Sequence, residues 1–233
     1  MVTSADSSLQ PWHLNLVQYR PRPSTIEQAL KLKIEQGSAD AANYLEKHLE
    51  NLPESWTAEA LSELGRLYKR TGKTEQALAT LEKSRKLHLS QGQLSMFIKD
   101  STATVHTLII DAGMQLNAAR KVTKSMQGIL PQHYESQHFF HWASLFAANK
   151  AHDHRAALFH AQKGTELAKS FRNKRYEGYF VSDYSHTLQK LNRLDEAIAL
   201  HQARQQDVEI EDAQCRDAEA LNTLGFIQWH HRQ

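Results

Sequence analysis

Apolar residues recur along most of the chain at the three- and four-residue spacing of amphipathic helices. In the clearest stretch Leu61, Leu64, Gly65 and Tyr68 stand at i, i+3, i+4 and i+7, which places them on one stripe of a helix. Glycine-containing or polar breaks such as 71–73 end these stretches. The pattern predicts paired helices at 24–36 with 39–51, 55–71 with 74–90, 94–112 with 115–128, 133–150 with 154–170, and 175–191 with 194–210, followed by a single helix at 214–231.

A short phrase recurs in these stretches: a break, then an alanine five residues later inside the next helix. The break begins with glycine in the first three repeats and with His152 and Asn192 in the last two. The alanines are Ala42, Ala77, Ala118, Ala157 and Ala197, at spacings of 35, 41, 39 and 40 residues. Helices approach closely where a small side chain lies at their crossing, and a period in this range is typical of stacked hairpins. We therefore predict an all-α protein of about five antiparallel helix hairpins and a C-terminal helix.

The second of these units resembles the tetratricopeptide (TPR) repeat family. That family has a large residue, Leu-Gly and Tyr on the first helix of each unit, and small and apolar residues on the second. The matching residues are Leu61, Leu64, Gly65, Tyr68, Ala77 and Leu81, with Ser84 at a position for a small residue. Looser matches are Val181, Tyr184, Ser185, Leu188 and Ala197, and Leu221, Leu224 and Gly225. The resemblance covers about residues 24–232 and implies a right-handed superhelical solenoid.

The length of the units departs from that family. Standard units have 34 residues, whereas three of the four spacings here are 39 to 41. Such lengthened units are similar to those in the sensor regions of bacterial signal-transduction ATPases, peptide-responsive regulators and some proteases or cyclases. This likeness of form says little about function.

The two ends of the chain differ from its middle. Residues 1–23 are polar and contain three prolines, so we expect a flexible or loosely packed arm before a repeat domain at 24–233. The final helix is apolar over much of its circumference, whereas terminal repeats normally present a polar outer face. Either it caps the stack with an unusual face or the natural chain continues past Gln233; we favour continuation, or association with a partner through this helix. Its apolar residues are Leu221, Leu224, Phe226, Ile227 and Trp229.

Composition narrows the classes of partner and compartment. Lys and Arg number 28 against 26 Asp and Glu, a net charge of +2, so we expect neither nucleic acid nor a membrane surface as a partner. No window approaches the ~20 apolar residues of a membrane span. The single cysteine, Cys215, excludes an internal disulfide. We predict a cytoplasmic protein.

Motifs for catalysis and cofactors are missing from the sequence. It has no GxSxG, GxxxxGK[ST], GxGxxG or CxxC pattern. His138 and His141 lie three apart on a predicted helix, yet zinc needs three or four converging ligands and no HExxH pattern or cysteine partner accompanies them. We interpret these histidines as surface or turn residues. The prediction is a protein that is not an enzyme and holds no cofactor or metal.

The resemblance implies that a partner lies on the concave side, which the first helices of the hairpins form. Ten residues are candidates for binding it there: Arg66, Lys69, Arg70, Tyr179, Ser182, His186, Gln189, Asn222, Phe226 and Trp229. Some family members clamp a C-terminal carboxylate with Lys and Asn; Ser62 and Arg66 stand at those places, so we expect no such clamp. The basic residues suit an acidic peptide, although a solvated helix face explains them equally. Phe139, Trp142, Ala143 and Phe146 have the spacing of a buried stripe and are predicted as core.

These observations predict a protein–protein or peptide interaction scaffold. The alternative is the sensor or regulatory repeat region of a larger bacterial signalling protein, such as an ATPase regulator, protease or cyclase, cut at Gln233. The identity of the partner, the biological process and the oligomeric state are left open by the sequence.

Overall fold

Antiparallel helix hairpins make up the part of the chain that the structure, a computed structural model, describes: residues 21–131 and 133–207. No strand occurs in these ranges. The helices are α1 (Ser24–Glu35), α2 (Ser38–His48), α3 (Glu54–Arg70), α4 (Thr74–Ser90), α5 (Leu94–His106), α6 (Leu116–Gln127), α7 (Tyr134–Lys150), α8 (His154–Ser170), α9 (Lys174–Lys190) and α10 (Leu194–Asp207), with a 3-10 turn at Leu49–Asn51 and a π-helical segment at Thr107–Asp111. The predicted all-helical repeat fold and the five predicted pairs are confirmed.

The repeat is more regular than the alanine spacings indicate. The first helices α3, α5, α7 and α9 begin at Glu54, Leu94, Tyr134 and Lys174, at intervals of 40 residues. Helices α3, α4, α7, α8 and α9 each have 17 residues, and a three-residue turn completes each module. Equivalent positions in successive hairpins therefore differ by 40 in residue number.

The turns explain the break in the sequence phrase. After α3 the Lys73 N–H donates to the carbonyl of Tyr68 at 2.9 Å, and after α7 the Asp153 N–H donates to the carbonyl of Ala148 at 2.9 Å. These bonds satisfy carbonyls that a helix end leaves unpaired. The motif requires a left-handed residue, which is Gly72 (φ 75°) in the first turn and His152 (φ 55°) in the second. The break is thus the helix C-cap.

The third hairpin departs from this regularity. The sequence predicts one α-helix over 94–112, but α5 passes at Thr107 into the π-helical segment, which accommodates an extra residue. The second helix α6 begins 22 residues after α5 and has only 12 residues. The fully buried alanine is therefore Ala119, while the predicted Ala118 is only half-buried. Residues 128–133 restore the period before α7.

Small residues lie where helices cross, as the sequence predicts. Ala77, Ala157 and Ala197 are fully buried. A Cβ on Gly65 would lie 2.8 Å from Cγ of Leu81 in α4, so only glycine lets α3 and α4 approach this closely. The core is accordingly a row of clusters between successive helices, which positions the exposed faces of the first helices side by side.

The predictions for the two ends fall outside the described residues. Residues 1–20 of the proposed arm and the predicted final helix at 214–231 are not among them, and both assignments stay predictions. Within the described ranges no helix has the length and apolar character needed to cross a bilayer.

Candidate functional site

The first helices form a continuous surface. Ser62 in α3 bonds to Asp100 in α5, the ring of His106 in α5 stacks on a ring of α7, and Thr187 in α9 donates to Asn149 in α7. We call the exposed surface of α3, α5, α7 and α9 the first-helix face. The 40-residue register places four side chains at one equivalent position along it: Arg66, His106, Phe146 and His186.

Arg66 is the most strongly held of the predicted binding residues. Its guanidinium donates to the Asp100 carboxylate at 2.6 Å, to Ser62 Oγ at 2.6 Å and to Glu63 at 3.0 Å. Its side chain is 19% exposed, whereas Asp100 is fully buried. The positive charge of Arg66 therefore compensates a buried carboxylate and joins α3 to α5.

Lys69 and Arg70 lie in the last turn of α3. Lys69 is half-buried, and burial lowers its pKa, with Asp111 acting in the opposite direction and Arg70 in the same one. Arg70 is exposed. These two cations are the part of the predicted α3 group that faces solvent without a buried partner.

The predicted residues of α9 lie at the other end of the described face. Tyr179 is 46% exposed, with the Arg175 guanidinium 5.9 Å from its ring centre. Ser182 and Gln189 are half-buried, and His186 is exposed. Partial burial lowers the pKa of His186, and neighbouring cations add to that effect. The α3 and α9 groups share a face, but α5 and α7 separate them.

The residues that connect the two groups were not among the predicted binding residues. His106 stacks on Phe146 with ring centres 4.4 Å apart and planes 4° apart, and Trp142 lies 5.0 Å from His106. Burial lowers the pKa of His106 to about 4, and the charge of Lys69 lowers it further. The Lys150 ammonium stands 5.8 Å from the centre of the Phe146 ring. We call His106, Trp142 and Phe146 the aromatic patch.

The sequence contains a signal for this patch. The buried-stripe spacing predicts Phe139, Trp142, Ala143 and Phe146 as core, and Ala143 is fully buried. The three aromatic rings, however, are only half-buried, because each packs on one side and is open on the other. Counting 40 residues from Arg66 gives His106 and then Phe146, so the period alone could have placed them beside a predicted binding residue.

His138 differs from its predicted surface position. It is 2% exposed, and neither ring nitrogen has a hydrogen-bond partner in the described structure. Its ring centre lies 3.8 Å from that of Tyr176 and 5.3 Å from that of Phe180, and burial lowers its pKa to about 4. It behaves as a neutral core ring. Among the described residues no group of three or more His, Cys, Asp or Glu has the arrangement of a metal site.

Three further predicted binding residues, Asn222, Phe226 and Trp229, lie outside the described residues. Their assignment to a binding surface stays a prediction.

Comparison with known proteins agrees with this geometry. No family model matches the chain, and no curated protein matches it. A crystal structure from Podosopora anserina, described as a putative kinesin light chain with nearly identical TPR-like repeats, is similar in structure, with a TM-score of 0.56. The two chains are 14% identical, and the match covers 90% of this chain and 96% of the other. At this identity the likeness shows the fold alone: the chain has the TPR-like helical-repeat fold.

Proposed function

We propose that the chain is an interaction scaffold that binds a protein or peptide segment on its first-helix face. A TPR-like fold is typical of such scaffolds. The observation that carries the proposal is the aromatic patch, which is half-exposed in the middle of that face and bordered by Lys69 and Lys150. Rigid aromatic rings give contact area at low entropic cost, and they are frequent anchors in interfaces.

The charges around the patch favour an acidic segment. His106 is neutral at pH 7 because its pKa is about 4, so its stack with Phe146 is an apolar surface rather than a cationic one. Lys69 and Arg70 lie on one side of it, and Lys150 and Lys190, at equivalent positions in α7 and α9, extend the positive charge. Carboxylates of a bound segment would pair with these ammonium and guanidinium groups, while an apolar side chain covers the rings.

A peptide-display selection on the wild-type chain, followed by fluorescence-polarisation titration of the enriched peptides, tests this. We expect acidic peptides to be enriched, and the double variant Lys69→Glu with Lys150→Glu to bind them at least about tenfold more weakly, because two attractions become repulsions. The control is Lys83→Glu with Lys86→Glu, which makes the same charge change on exposed positions of α4. Enrichment of no peptide, or equal loss of binding in both double variants, would contradict the proposal.

Arg66 and Tyr179 stay candidate anchors at either side of the patch. Arg66 is a poor first choice for the test, because removing it also leaves buried Asp100 without its cation and so lowers the stability of the fold. Tyr179, which is 46% exposed, can be replaced by Ala with little effect on the core.

A further inference from the structure

A cavity of about 690 Å³ lies between α6, α7 and α8, among the second helices rather than on the first-helix face. It exists because of the irregular third hairpin. The second helix α6 starts late and has 12 residues, against 17 in α8, so it covers less of α7 than a full-length second helix does. Its volume falls in the range of sites for small organic ligands.

Part of the wall is apolar and aromatic. Phe140 and Leu130 border the cavity from one side, and Phe159 borders it from α8. Phe159 is 54% exposed, an unusual state for a large apolar ring with no exposed neighbour to share it. This wall suits the flat or chain-like body of an apolar group.

Two histidines of the wall form a polar pair. The Nδ1 atoms of His141 and His160 are 3.0 Å apart, and burial lowers the pKa of each ring to about 4. Both rings are therefore neutral at pH 7, and one Nδ1–H donates to the other Nδ1. Whichever ring accepts must carry its proton on Nε2. The pair thus always keeps one Nε2–H donor and one unprotonated Nε2 acceptor, and the tautomer can adapt to a ligand.

Two cations stand on the α6 side. Arg120 and Lys124 are one helical turn apart, line the cavity and are exposed. The described residues include no carboxylate within ion-pair distance of either. Asp153, the acid in the wall, accepts the Ala156 N–H at 3.1 Å as the N-cap of α8. The cavity is therefore positive at its rim.

An unpartnered hydroxyl completes the wall. Ser144 of α7 lines the cavity and is 7% exposed, and its Oγ has no hydrogen-bond partner in the described structure. Buried hydroxyls are normally bonded. A ligand oxygen in the cavity would supply the partner that the chain does not.

We propose that this cavity binds a small organic carboxylate, with an aromatic or alkyl body against Phe140 and Phe159 and its carboxylate toward Arg120 and Lys124. The histidine pair donates one N–H to the ligand. A metal ion suits the site less well, because zinc takes at least three protein ligands and no such group is present in the described residues. The ligand would bridge the third and fourth hairpins.

Isothermal titration calorimetry of the full chain with three carboxylates tests the proposal: 1-naphthaleneacetate, indole-3-propionate and decanoate. We expect at least one to saturate a single site. The neutral amide of that compound should bind at least about tenfold more weakly, since it lacks the charge. Arg120→Gln with Lys124→Gln should weaken the acid by about tenfold or more, while Lys83→Gln with Lys86→Gln, the matched loss of two cations on α4, should not.

A second variant tests the cavity rather than its charge. Ala156 borders the cavity and is half-buried, so Ala156→Phe should fill it and abolish binding with an unchanged circular dichroism spectrum. Saturation by none of the three acids would overturn the proposal. So would equal binding of acid and amide, or a site that takes up zinc alone in one-to-one ratio and loses it in His141→Gln. None of these outcomes depends on peptide binding to the first-helix face.

Discussion

Two interfaces at the same position of the repeat are built from opposite chemistries. Where α4 meets α5, Ser84 Oγ donates to the Asp100 carboxylate at 2.6 Å. Eighty residues later, where α8 meets α9, Gly164 lies against the ring of Phe180, and a methyl group on the glycine would overlap that ring. Both Asp100 and Phe180 are almost completely buried. A hydroxyl and a carboxylate thus occupy the places of a glycine and a phenyl ring.

The difference shows what the repeat backbone demands of its side chains. A buried carboxylate is stable only when donors surround it, and Asp100 has three: Ser62, Ser84 and Arg66, all at 2.6 Å. A buried phenyl ring needs no donor but needs volume, which Gly164 supplies by having no side chain. The backbone therefore sets the spacing between helices, while each interface fills that spacing by its own means.

The largest effect should come from removing the charge of the polar interface. Asp100→Ala leaves Ser62, Ser84 and the half-buried Arg66 without their acceptor, so we expect the free energy of unfolding to fall by about 3–5 kcal/mol. Urea denaturation followed by circular dichroism measures it. Asp111→Ala, at an exposed position, is the control and should change it by about 0.5 kcal/mol or less. A comparable loss in both variants would show that Asp100 is not special.

Acid should act on the aromatic interface through His138. The unfolded chain binds a proton near pH 6.5, while burial holds the folded pKa at about 4, so stability present above pH 6.5 is lost as the pH falls from 6.5 to 4. His138→Phe should reduce this loss by about 3 kcal/mol, the equivalent of the pKa shift. Urea denaturation at pH 7 and pH 4 compares the variants. His133→Phe, at an exposed position, should keep the wild-type dependence; so should His138→Phe if the ring titrates normally.

Adding one methyl group should damage the glycine-dependent contact. Gly164→Ala forces its Cβ into the ring of Phe180, and such overpacking costs about 1–3 kcal/mol. Gly128→Ala is the matched control, because Gly128 has a helical φ of −66° and its nearest neighbour would be 4.0 Å away. Thermal unfolding of the two variants separates them. Equal melting temperatures would mean that α8 and α9 can move apart freely.

The smallest effect concerns the turns that precede these interfaces. The turn before α5 has Gly92 at φ 69°, whereas the equivalent residue before α9 is Arg172 at φ 52°, a conformation unfavourable for a residue with a Cβ. We expect Arg172→Gly to stabilise the fold by about 0.5 kcal/mol, the relief of strain exceeding the entropy lost by glycine. Arg155→Gly, inside α8, should instead destabilise it by about 1 kcal/mol. Thermal unfolding tests the opposite signs.

Much of the fold was predictable because its signals are local. The apolar stripe of Leu61, Leu64 and Tyr68 and the break at Gly72 each depend on a few consecutive residues, and the structure agrees with both. The third hairpin was predicted less well. A π-helical segment does not alter the apolar spacing enough to be seen, so the buried alanine was placed one residue early, at Ala118 instead of Ala119.

The candidate site was only partly predictable. Lys69, Arg70 and His186 follow from the register of the first helices, and the structure places them on one face. The aromatic patch between them was interpreted as core, since spacing cannot tell a ring that is covered on both sides from one covered on a single side. The pairing of Arg66 with Asp100 likewise joins residues of two different helices, and neither residue alone indicates the other.

The sequence by itself determined the helical class, the 40-residue period and the positions of the turns, because 3.6-residue periodicity and left-handed caps act within one or two turns of chain. The tertiary structure decided which side chains meet across helices: the acceptor of Arg66, the stack of His106 on Phe146, and the cavity beside His141 and His160. Contacts and voids between helices depend on the relative position of packed backbones, and one short helix, α6, is enough to open a cavity that no local pattern records.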